Sequence, residues 1–190
     1  MIAALAGKHT DMVGQYVMEK IPGLVLTPGM FVAFMIVNDQ MDFVGGVVFT
    51  NYRETDGKPT DVEISCAAET PIAFKDDVCR AIFKYVFETA GCVRCTSITV
   101  KGNKKARDFL QGLGFQLEGN IRSGYDGRRD ALIYGLLRDE CRFLKDPTEA
   151  LDGEEERTRA PASTGPGSDG AGAEGNEHRV GDLASEPQPD

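Results

Sequence analysis

The 190-residue chain predicts an α/β domain built around one mixed β-sheet (α+β in the arrangement of its elements), followed by a tail with no fold of its own. Three observations lead there. Apolar runs between residues 30 and 69 are separated only by short polar turns, so neighbouring strands must run antiparallel. A helical stretch then leads into a fourth strand, and a strand-helix-strand connection closes right-handed onto a parallel pairing. Beyond residue 145 the apolar pattern ends, leaving 1–145 as a single domain, long enough for one core and short of two.

In chain order, "KHTDMVGQYVMEKIPG" reads as a helix with Thr10 as its N-cap and Pro22-Gly23 as its stop. "MFVAFMIVNDQMDFVGGVVFTNY" is a hairpin turned at Asn38, Asp39 and Gln40. A second turn, "RETDGKPT", leads into the strand "DVEISCAAE". Its alternation sets Val62, Ile64 and Cys66 on one face and Glu63, Ser65 and Ala67 on the other.

"TPIAFKDDVCRAIFKYVFETAGC" is a helix. Val78, Ile82, Tyr85 and Val86 recur at helical spacing, Phe83 and Phe87 widen the stripe, Asp76 and Asp77 suit the positive end of the dipole, and Gly91 is the stop. The strand "VRCTSITV", the helix "NKKARDFLQGLGF" and a closing hairpin over 116–144, turned at Asp126-Gly127, complete the domain. The helix that starts near Lys75 points its unpaired N–H groups at the sheet edge, where an anion is favoured.

Charge separates the two parts. Residues 146–190 hold twelve acidic residues against Arg157, Arg159 and Arg179, with five of the nine prolines and no aromatic residue. Such a stretch buries too little apolar surface to offset the roughly 1–2 kcal/mol per residue that ordering a backbone costs, which predicts a disordered, self-repelling tail. Residues 1–145 carry 18 basic and 18 acidic side chains, a balance that argues against a nucleic-acid partner. No run reaches the length of a membrane span and the start lacks the basic region of a signal peptide, which predicts a cytoplasmic location without membrane attachment. Cys66, Cys79, Cys92, Cys95 and Cys141 are an odd set that fits reduced, buried thiols. The single CxxC at 92–95 lacks the second ligand pair of a structural zinc site, so no metal is expected.

Three segments together resemble the GNAT superfamily of acetyl-CoA-dependent N-acyltransferases, over roughly residues 30–144: "DVEISCAAE"; "CRAIFKYVFETAGC" leading into "VRCTSITV"; and "NKKARDFLQGLGFQLEG" followed by "DALIYGLLRDECRFL". The likeness is to short phage-encoded members, which implies a host cytoplasm, and to relatives that acetylate ribosomal-protein N-termini. It implies a GNAT-like fold, with antiparallel strands, a central parallel pair splayed into a V, and helices packed on the sheet. It implies acetyl-CoA as co-substrate and a primary amine, of a small molecule or a protein N-terminus, as acceptor. Backbone N–H groups around Ala67, Ala68 and Glu69 are implied to meet the thioester oxygen, and the stretch 72–77, with Lys75 and Asp76, the pyrophosphate. Asn103 is implied to meet the pantetheine arm, and Lys101, Lys104, Lys105 and Arg107 the adenosine phosphates.

Two features depart from the superfamily. Its phosphate loop carries spaced glycines, whereas "ETPIAFKDD" has none, which hinders close backbone approach; Asp76 and Asp77 add charge of the wrong sign, offset in part by Lys75. Leu110 stands where many members carry a Tyr that protonates the departing thiolate. An attacking amine must also lose a proton, and a carboxylate serves as its base. Glu63 is the first candidate and Glu69 the second, while Tyr125 and Tyr134 of the closing hairpin are candidate acids. Asn103 reads also as a helix N-cap. Two other readings stay open: a non-catalytic acyl-CoA-binding or scaffold module of the same fold, and an enzyme modifying a nucleobase amine in phage DNA, served by the local cations at 101–107 and 122–129.

Overall fold

The apolar runs become strands, and the computed structural model, which describes residues 9–145, joins them into one sheet. Helix α1 spans Thr10–Lys20, strand β1 Val32–Val37, β2 Phe43–Thr55 and β3 Lys58–Ala68. Helix α2 spans Asp76–Lys84, β4 Arg94–Val100, α3 Lys104–Leu113, β5 Gln116–Ile121 and β6 Ala131–Leu137. The strand order is β1-β2-β3-β4-β6-β5; every neighbouring pair is antiparallel except β3 and β4, which run parallel. This is the mixed sheet that the sequence predicts. The acidic tail expected at 146–190 lies outside the described residues.

Side-chain chemistry sets the connections. Asn38 Oδ1 accepts from the N–H groups of Gln40 (3.0 Å) and Asp42 (2.8 Å), folding the first hairpin. Between β2 and β3 the loop is only Asp56-Gly57, with φ of 52° and 71°, the mirror-image turn that suits twisted strands. So tight a turn lets the ladder begin at Lys58, earlier than the strand expected from Asp61. At the start of α1 the cap is His9; Thr10 is already helical and no side chain caps the end. The helix expected over 70–92 is divided into a 3₁₀ turn at Pro71–Ala73, α2, and a π turn at Tyr85–Thr89 closed by the Ala90 N–H on Tyr85 O at 2.7 Å. In the closing hairpin, Asp126-Gly127 is the tip of a longer loop over 122–130.

Strand alternation gives each face of the sheet its own core. On one face α2, α3 and the C-terminal segment cover Phe34, Ile36, Val47, Phe49, Val62 and Ile64. Arg80 Nη1 donates to Phe143 O at 2.8 Å and so ties that segment to α2. On the other face α1 sets Val13 and Val17 against Ala33 and Val48. Gly46 permits the approach, since a Cβ there would come 2.5 Å from Val13 Cγ1. Cys92 and Cys95 are both fully buried in the first core, and burial pushes their thiols up.

Candidate functional site

Strands β3 and β4 pair over only three rungs, Asp61 with Arg94, Val62 with Cys95 and Glu63 with Thr96, and then part. Their closed end is tied on both faces. On the α1 side the buried Thr96 hydroxyl donates to Asp61 Oδ2 at 2.7 Å, with Arg94 Nε 3.6 Å from the same oxygen. Arg94 also pairs with Glu118; that hydrogen bond raises the guanidinium and holds the carboxyl below the usual range. Gly135 has no Cβ, and the Arg94 and Glu118 side chains fill the space above it. On the α2 side Ser97 Oγ donates to Ile64 O at 3.2 Å, a latch just past the last rung.

Beyond the latch, the backbone of β3 has an open edge. The Glu69 N–H donates to Val44 O at 3.0 Å, and antiparallel alternation then turns the Ala67 N–H to β2 as well. The Cys66 and Ala68 N–H groups therefore face the gap that β4 has left. Of the three amides that the resemblance implied for the thioester oxygen, only that of Ala68 faces it. The Cys66 amide was not foreseen, because which amides are free depends on the register with β2.

Side chains sort by face in the same way. Ala67 packs with the α1 core and Ala68 with the α2 core, so Glu63, of Ala67's parity, lies on the α1 side at the fork's last rung. A bulge in β2 just past Glu63's partner Thr50 puts Asn51 at a φ of 50°, and Asn51 Nδ2 donates to Glu63 Oε2 at 2.8 Å. On the α2 side Tyr134 stands opposite Ser97 with its ring 1% exposed. Its hydroxyl makes no hydrogen bond among the described residues, and it shares that core with Leu110.

The remaining candidates are spread around the fork. Glu69 accepts from Lys20 Nζ and the Tyr16 hydroxyl, both at 3.0 Å; Lys20 first and Tyr16 second hold its carboxyl below the usual range. Burial, with Glu69 as acceptor, pushes Tyr16 up to about 12. Lys75 is the N-cap of α2, whose first turn holds Asp76 and Asp77, and Asp77 Oδ1 takes up the Val78 N–H. Asn103 Oδ1 caps α3 by accepting from the Ala106 N–H at 3.1 Å. Lys104 pairs with Asp108 on its own helix, and Arg107 Nε is buried without a hydrogen-bond partner among the described residues. Tyr125 donates its hydroxyl to Pro22 O at 2.8 Å, joining the 122–130 loop to the end of α1.

That link walls a cavity of about 750 Å³ at the end of β4, lined by Pro22, residues 100–103, Tyr125 and residues 128–130. Val100 has the parity of Thr96, and α1's end is part of the wall, so the cavity lies on the α1 side of the fork. Nothing in the sequence pattern joins Pro22 to Arg128.

No protein-family model and no curated protein matches the sequence. Solved structures do. A spermidine N-acetyltransferase chimera from Vibrio cholerae and hSSAT superposes with a TM-score of 0.60 at 13% identity, covering 76% of this chain and 99% of that one. The ribosomal-protein-S5-alanine acetyltransferase from Vibrio fischeri gives 0.53 at 13% identity, covering 70% and 87%. Identity this low speaks for the fold alone, and the fold is the one these two acetyltransferases have.

Proposed function

We propose that the protein transfers the acetyl group of acetyl-CoA to a primary amine by direct attack, with both substrates held at the fork. The supporting observation is the early parting of β3 and β4, which leaves the Cys66 and Ala68 N–H groups aimed into the gap between the two strands. Amides fixed in this way stabilise the negative charge that develops on a thioester oxygen, and they need no reorganisation as it forms. The coenzyme's phosphates are assigned to the start of α2, where the Asp76 and Asp77 N–H groups have no intrahelical acceptor. Fewer amides converge there than in a glycine-rich loop, so Lys75 carries more of the attraction.

Proton transfers divide between the faces. From the α1 side the amine nitrogen bonds to the thioester carbon while Glu63, held by Asn51, takes the amine proton directly or through one water. The carbon–sulfur bond breaks with its electron pair on sulfur, and the unpartnered Tyr134 hydroxyl on the α2 side supplies the proton. This assigns to β6 the part that Leu110 cannot play. Glu63 is preferred to Glu69, whose two donors weaken it as a base.

The first test is the melting temperature in acetyl-CoA. At about 100 times its dissociation constant a ligand stabilises by roughly 2.7 kcal/mol, a shift of several degrees in a domain of this size. No shift would remove the coenzyme from the reading; a shift without transfer to any amine would favour the non-catalytic module.

A further inference from the structure

The fork fixes where the amine must arrive, and the cavity on the α1 side bears on what else the acceptor carries. We infer that this cavity holds an anionic group of the acceptor, a carboxylate or a phosphate, so that the acceptor is a small primary amine with an anionic end. The inference rests on the acetyl-transfer reading for the amine end alone.

Charge favours an anion. Among the described residues lining the cavity, Lys101, Arg128 and Arg129 are cationic and Asp130 is the only acid. Asp130 is already committed: Oδ1 accepts from the Ser123 N–H at 3.0 Å, and Oδ2 accepts from Asn120 Nδ2 at 3.1 Å with Lys101 Nζ 3.6 Å away. Arg129 is committed too, with Nε donating to Asp126 at 2.8 Å and its guanidinium 5.0 Å from the centre of the Tyr125 ring. The Arg128 guanidinium has no hydrogen bond or ion pair among the described residues. An unpaired guanidinium in a concave wall beside a lysine suits the two-point geometry of a carboxylate or phosphate, and it repels a second ammonium.

The wall is also pre-ordered, which lowers the entropy cost of binding. Asp126 Oδ1 accepts from the N–H groups of Arg128 and Arg129 at 3.1 and 2.8 Å, and the Lys101 N–H donates to Asp130 O at 2.9 Å. The coenzyme's phosphates are assigned to the opposite face, at the start of α2. From Thr96 at the last rung to Val100 in the cavity wall is about 13 Å of strand, at roughly 3.3 Å per residue, so the anion belongs several bonds from the amine.

Equilibrium binding to the full chain tests this without turnover. The probes are 6-aminohexanoate, 6-aminohexyl phosphate, hexylamine and spermidine, each with and without saturating coenzyme A. The expected result is that one or both anionic probes bind at least about tenfold more tightly than hexylamine, still do so with coenzyme A present, and lose the advantage in Arg128→Ala. Which of the two binds more tightly distinguishes carboxylate from phosphate. The inference is overturned if hexylamine or spermidine matches both anionic probes, or if Arg128→Ala leaves the advantage intact. It is also overturned if coenzyme A displaces the anionic probes, which would give the cavity to the coenzyme's own phosphates. A protein that binds the anionic probes through Arg128 but shows no melting shift with acetyl-CoA would keep the anion site and lose the acetyl-transfer reading.

Discussion

At the residue scale, Glu63 and Tyr134 face different costs, and the costs make them separable. Glu63 is half-buried with one fixed donor, Asn51, so Glu63→Gln keeps the shape and removes the base. Its rate should fall by about 100-fold or more near pH 7. It should fall far less near pH 10, where the unprotonated fraction of a primary amine with a pKa of about 10.4 is already hundreds of times larger than at pH 7. Equal losses across a pH-rate profile would take Glu63 out of the base role. Tyr134 has a buried ring and a hydroxyl that bonds to no other described group, so removing that hydroxyl breaks no contact within the protein. Tyr134→Phe should therefore leave the unfolding free energy within about 0.5 kcal/mol of its original value, while kcat falls by about 10- to 100-fold. A stability loss with unchanged kcat would make it an ordinary core residue. Glu63 was legible in the sequence because strand alternation alone assigns its face. Asn51 was not, because its partner across the sheet depends on a bulge set by the register of β2 with β3.

At the element scale, what matters most is how β2 holds the free end of β3. Gly45 lies opposite Ala68, and a Cβ at Gly45 would come 2.8 Å from Ala68 Cβ and 2.9 Å from Ala67 O. Neither the backbone oxygen nor the Ala68 Cβ, which is fixed to the main chain, has a side-chain torsion with which to swing aside. Gly45→Ala should cost about 1–3 kcal/mol in denaturant unfolding and should also displace the amides facing the fork. A variant of native stability with normal transfer rate would show that this strand end tolerates movement. The strands themselves were legible from period-two patterning, and so was the parallel crossover, since a helix between two strands leaves few other topologies. The breaks in the 70–92 stretch were not. A π turn keeps helical spacing nearly intact, so the apolar stripe continues across Tyr85–Thr89 without a signal. The 122–130 loop was read through its Asp-Gly tip alone, and its contact with Pro22 spans 103 positions of sequence.

At the scale of the whole molecule, one sheet serves as a partition with helices of different number on its two sides. The crowded side, with α2 and α3, offers a helix start and a buried phenol. The other side, where α1 is the only helix among the described residues, offers a carboxylate and a cationic cavity. The formal neutrality of residues 1–145 therefore conceals a local arrangement: acids and bases balance over the domain, yet cations gather at the end of β4. Composition could not reveal this, because it carries no positions in space.

The three-rung pairing of β3 and β4 has a consequence in time as well as in space. Along a strand laddered on both edges, amide protons exchange with solvent slowly throughout; along β3 the two edges differ. In the free protein the amides of Ala67 and Glu69, held by β2, should exchange slowly in deuterated water, while those of Cys66 and Ala68, between and beside them, exchange quickly. Acetyl-CoA should slow the fast pair and leave the slow pair nearly as it was. Uniform exchange from 66 to 69, in the presence and absence of the thioester, would mean that the slot is closed in solution.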